Sequence, residues 1–157
     1  MKKISYTIIS IILLSFNSIS QDILTARLQP LGSSVTITGI VTNGDELGPI
    51  RYVEDGTAGI AIYDLSTNNF LNGAQRGDSI TITGSLVDYN GLLEMNPTSS
   101  AIIHSVSNTI TAQIVTPLQI GENTESELVQ IDNVIFNNGG GLFTVGTHDF
   151  QSNCDYW

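Results

Sequence analysis

Lysine is missing from this chain after residue 3. Arg27, Arg51 and Arg76 are the remaining cations, against 15 Asp and Glu. A surface that binds nucleic acid without sequence preference draws its affinity from Lys and Arg neutralising phosphates, so a basic stripe is excluded. Cysteine is nearly absent as well. Cys154 stands alone and cannot form an internal disulfide. His104 and His148 lie far apart, and with Cys154 they show no zinc-ligand spacing. His148, Asp149 and Cys154 could supply a Cys-His pair, but nothing electropositive surrounds that thiol in the sequence. The materials for catalysis are therefore thin, and no enzyme is expected. After the first twenty residues no apolar run is long enough to span a bilayer.

The first twenty residues read as a secretory signal. Lys2 and Lys3 precede an apolar stretch from Ile4 to Phe16, and Ser18-Ile19-Ser20 places small residues where a signal peptidase cuts, before Gln21. The expected location is extracellular, with no membrane attachment once the signal is removed. The apolar run falls short of the ~20 residues of a spanning helix. The strongly acidic remainder favours solubility and repels polyanions.

What is abundant is Thr, Ile, Val, Gly, Asn and Ser, a mixture suited to strands and turns. Residues 21–32 form a lead-in, with Asp22 capping a short helix that has Ile23, Leu24 and Leu28 on one side and ends at Pro30. Val35 to Val41 alternates, with Val35, Ile37, Gly39 and Val41 on one face and Thr36, Thr38, Ile40 and Thr42 on the other. A glycine in mid-strand marks a bulge or a barrel corner. Ile50 to Asp64 reads as a hairpin about Asp55-Gly56-Thr57. Here Val53, Ile60 and Ile62 point inward, while Tyr52, Glu54, Ala61 and Tyr63 point outward. Phe70 and Leu71 plug one end. A second hairpin, Asp78 to Asn96, turns at Asn90-Gly91, the preferred type I′ pair. Pro97 breaks its pairing, and Ala101–Val106 and Thr111–Val115 are further strand candidates. Residues 117–127 form an acidic linker. Leu128 to Phe136 is a new strand, Asn137 to Gly141 a glycine-rich turn, and Leu142 to Val145 another strand.

Three stretches resemble the OB-fold domains of secreted bacterial proteins that accompany extracellular nucleases or phosphoesterases. They are V-T-I-T-G-I-V-T (Val35–Thr42), R-Y-V-E-D-G-T-A-G-I-A-I-Y-D (Arg51–Asp64) and G-D-S-I-T-I-T-G-S-L-V-D-Y-N-G-L-L-E (Gly77–Glu94). Glu127–Phe136 resembles the start of a following unit. The resemblance implies an all-β fold, an OB-like small Greek-key barrel over residues 33–116 followed by the first strands of an incomplete second β unit over 128–157. It carries no catalytic residue.

Such barrels bind on the outer face of their second and third strands, where aromatic rings stack on bases or sugars. Tyr52 and Tyr63 share that face by parity, Tyr89 lies at the next hairpin tip, and Arg51 is the adjacent cation. These four are the candidate ligand residues. The bland alternative is that the rings merely cover barrel surface. With Glu54, Asp55, Asp64 and Asp88 nearby, the expected partner is a neutral glycan or another protein domain, and nucleic acid is disfavoured. Asp45, Glu46, Glu54, Asp55 and Asp64 are candidate Ca²⁺ ligands, though no EF-hand loop is present and no cofactor is required. The expected role is a non-catalytic binding or spacer module of a larger exported protein. The alternative is an accessory nucleic-acid-binding domain of a secreted nuclease.

Overall fold

A computed structural model describes residues 20–65, 67, 69–136 and 150–152. Residues 1–19 of the expected signal segment, His148, Asp149 and Cys154, and the expected turn and strand at 137–145 lie outside them.

Helix α1 (Ile23–Arg27) opens on Asp22, whose side chain accepts the Thr25 amide at 2.7 Å. The buried side is Ile23 and Ala26, while Leu24 and Leu28 are exposed. The expected Ile23–Leu24–Leu28 face is thus corrected: the helix sits on the turn at Asp55-Gly56-Thr57, which selects the Ile23–Ala26 side. Asp55 makes that seat. Its Oδ1 accepts the Thr57 amide at 2.9 Å, and its Oδ2 accepts the Ile23 amide at 2.7 Å.

Strands β1 (Ser34–Val41), β2 (Ile50–Glu54), β3 (Gly59–Tyr63), β4 (Ser79–Tyr89), β5 (Leu92–Pro97) and β6 (Ile102–Ser105) form one sheet in the order β1-β2-β3-β5-β4-β6. The additional antiparallel β1–β4 pairing, Ser34↔Ser85 through Ile40↔Ser79, closes the first five into a barrel. β3 and β5 run parallel, with Ala61 opposite Glu94. This is the connectivity of an OB-like barrel. Its interior holds Ile37, Val53, Ile60, Ile82, Leu86 and Met95, with α1 contributing Ile23. Leu71 joins the core, while Phe70 is only half-buried and bonds through its carbonyl to the Ala101 amide.

Both mid-strand glycines mark close approaches. A Cβ on Gly39 would lie 2.6 Å from the Glu54 carbonyl, and one on Gly84 would lie 2.6 Å from the Asn96 carbonyl. Asn90 and Gly91 have φ of 55° and 93°, as a type I′ turn requires. Pairing runs one step further than expected, because Pro97 still faces Gly84 and the Thr98 amide donates to Thr83. Proline lacks a donor, but its carbonyl remains available.

The later segments depart from expectation. β7 (Gln113–Ile114) does not join the barrel and pairs in parallel with β8 (Val129–Gln130). The single strand expected over 128–136 is two, β8 and β9 (Val134–Phe136), broken at Asn133 with φ 55°. Asparagine tolerates that left-handed conformation. β9 pairs with β10 (Phe150–Ser152). The stretch 117–127 is not a bare linker. It carries 3-10 turns at Pro117–Gln119 and Glu122–Thr124 and lies against the barrel.

Candidate site on the outer face of the barrel

Residues paired across a sheet share a face. Tyr52 stands opposite Ala61, and Ala61 opposite Glu94, which faces Val87. Tyr63 lies two residues along from Ala61 on the same side. The parity expectation for Tyr52 and Tyr63 therefore matches the register, and both are half-buried. They do not form one platform. Tyr63 borders a depression with Asp64, Leu65, Asn96 and Pro97. Tyr52 lines a separate cleft of about 390 Å³ with Leu47, Leu92 and Leu128. Tyr89 lies on the outer parity of β4, opposite Leu92, and is 63% exposed.

Arg51 does not face outward as expected. It is 6% exposed, and its guanidinium donates to the carbonyls of Ala74 (3.0 Å), Gly48 (2.9 Å) and Ile50 (2.9 Å). It stands opposite Ile62, on the inward parity of Val53, and ties β2 to the loop that closes the barrel end. Alternation along β2 places it inside, one residue from outward Tyr52.

Asn43 fixes the cleft from the β1–β2 side. Its Oδ1 accepts the Tyr52 amide at 2.7 Å, and its Nδ2 donates to Ile50 O at 3.0 Å. The opposite wall is residues 125–128. The Ser126 backbone crosses directly over Gly59, where a Cβ would come within 2.9 Å of the Glu127 amide nitrogen. Leu128 N donates to Glu54 Oε1, and Leu93 N donates to Glu125 Oε2 at 3.4 Å. Arg27 holds this wall in place. It reaches Glu125 Oε2 at 2.9 Å, Glu122 Oε1 at 3.2 Å and Gly59 O at 2.8 Å. None of these contacts has a local sequence signature. The scarcity of cations was the one hint that each arginine has a dedicated role.

The proposed Ca²⁺ ligands do not converge. Asp55 is committed to its turn, Asp64 accepts the Leu71 amide, Glu46 accepts the Gly44 amide, and Glu54 accepts Leu128. Among the described residues no group of three or more His, Cys, Asp or Glu could hold a metal. His104 Nε2 is 2.7 Å from Thr81 Oγ1 on an exposed strand.

Two carboxyls on this face titrate high. Burial pushes Glu54 up, the Leu128 N–H opposes that, and neighbouring Glu127 adds to it. Glu94 is 3% exposed, and burial alone raises it above its ordinary value near 4.5. A raised acid prefers the folded state protonated, so folding is penalised as pH rises through the unfolded and then the folded pKa. Glu94→Gln is therefore expected to raise Tm at neutral pH, with the gain vanishing below the ordinary Glu range. Melts across pH check this, and a gain that persists at acid pH would contradict it.

No family model matches the chain. Among curated proteins, 84 residues, 50% of this chain, are 37% identical to part of "Endonuclease YhcR" of Bacillus subtilis (strain 168). The match spans 7% of that protein's length. Among solved structures, the hypothetical protein ygiW from E. coli aligns with a TM-score of 0.46 and 14% identity, over 54% of this chain and 89% of that one.

Proposed function

We propose that this chain is a non-catalytic OB-type module of an exported protein concerned with nucleic acids, and that its own partner is uncharged or polypeptide, not a phosphate backbone. The observation that carries the second half is the fate of the arginines. Arg51 is buried on carbonyls, Arg27 is paired with Glu122 and Glu125, and Arg76 is left on the surface. The Tyr52 cleft is lined by Leu47, Leu92, Leu128, Asn43 and Glu127, with no cation among the described residues. Phosphate binding releases counterions only where cations meet phosphates. The nucleic-acid context is supported by the identity to a portion of an endonuclease. Export is supported by the N-terminal signal pattern.

The same endonuclease match favours a second reading, in which the module itself grips single strands by stacking on Tyr52 and Tyr63. Fluorescence anisotropy with labelled single-stranded DNA and RNA at low salt decides between the two. The expected result is no binding, and no hydrolysis of either. Binding that weakens steeply with salt and disappears in Tyr52→Ala/Tyr63→Ala would overturn the primary reading and establish the second.

A further inference from the structure

We infer that the outer face of β2, β3 and β5 is a seat for an acidic polypeptide turn, and that residues 122–128 occupy it in the free chain as a placeholder. The seat has the parts that such a ligand needs. Gly59 provides a floor without a side chain, so a crossing backbone can lie flat on the sheet. Arg27 Nη2 meets two carboxylates three residues apart, at 3.2 Å and 2.9 Å, while its Nη1 donates to the Gly59 carbonyl at 2.8 Å. The Leu93 amide adds a donor to the second carboxylate, and Glu54 accepts a main-chain N–H from Leu128. Arg27 and Glu125 have only 9% and 17% of their side chains exposed, so that pair is shielded from screening salt, whereas Glu122 is 80% exposed and its contact is open to screening.

The occupant fits imperfectly. Ser126 sits at φ 65°, a left-handed conformation that is unfavourable for a residue with a Cβ. Its Oγ is buried without a hydrogen-bond partner. A buried hydroxyl left unpaired is a further penalty. An intramolecular segment tolerates such defects because tethering gives it a high effective concentration. A partner chain presenting two carboxylates at the same spacing, with glycine or asparagine at the position of Ser126, would displace it.

The test uses the full chain and a labelled peptide covering Gly121 to Gln130. Glu122→Gln/Glu125→Gln loosens the resident segment. In that variant the Leu128 and Leu93 amides are expected to exchange at least about tenfold faster, while Ile37 and Ile82 stay protected. The peptide is expected to bind the variant at least about tenfold tighter than wild type, where the resident segment competes. Adding Arg27→Gln should abolish capture. Ser126→Gly, which removes both defects, should slow exchange at Leu128 and reduce capture below wild type. Equal or absent capture in both proteins would overturn the inference. So would loss of protection at Ile37 and Ile82 when the latch is cut, because the segment would then be part of the folding unit. The outcome is separable from the reading above: peptide capture can fail while DNA remains unbound, and DNA can bind while the peptide is still captured.

Discussion

Gly39→Ala is expected to lower Tm by about 10 °C, the equivalent of about 2–3 kcal/mol. The added methyl would stand 2.6 Å from the Glu54 carbonyl oxygen and 2.7 Å from Val53 Cγ1. Neither neighbour can yield cheaply. The Glu54 backbone is held by its pairing with Ile40 and with Gly59, and Val53 is wholly buried. Relief therefore means prising β1 from β2 at the point where the barrel turns its corner. Against a total stability of about 5–15 kcal/mol, that loss is large. Gly121→Ala is the control, because nothing lies within 4 Å of the added atom and its φ of 167° is ordinary extended backbone. Thermal melts of the two variants should differ sharply. A Gly39→Ala melt within about 2 °C of the parent would mean that β1 and β2 are not in this close contact.

Arg51→Met is expected to be the more damaging substitution, at about 3 kcal/mol or more. Methionine fills comparable length but donates nothing. The carbonyls of Ala74, Gly48 and Ile50 would lose their guanidinium donors, and the bond to Ala74 lies in the buried interior. Lysine does not rescue this, since one ammonium cannot reproduce the planar fork. Urea titration should show the midpoint falling by about 1–2 M with an unchanged slope. Were Arg51 a ligand contact, the same change would leave the unfolding curve in place and alter binding alone. The two roles are thus separated by one titration.

Much of the barrel was legible in the sequence because its signals are local. Alternating Ile and Thr in β1 and β4, Asn90-Gly91 between β4 and β5, and Asp55-Gly56 between β2 and β3 each follow from backbone preferences within a few residues. Parity likewise placed Tyr52 and Tyr63 on one face. The same parity, carried one residue back from Tyr52, puts Arg51 inside, against the general tendency of a charged side chain to stay at the surface. The rest was not legible because it depends on contacts between distant segments. Nothing near Glu122 or Glu125 in the chain points to Arg27, and nothing near Ser126 announces that it will cross Gly59. The expected strand over 128–136 failed for a related reason. Its apolar run is continuous, but Asn133 adopts a left-handed turn that redirects the chain from β7 to a different partner.

The parallel seam between β3 and β5 has a consequence for how the chain acquires its shape. The two hairpins close over short loops, which takes microseconds. The seam cannot form until Ala61 meets Glu94 across the whole intervening sequence, and the β1–β4 pairing must join segments equally remote. Loop-closure entropy is therefore spent before those contacts return anything. The meeting of two preformed hairpins is therefore the expected slow event in refolding, and changes at the seam should register chiefly in the speed of assembly.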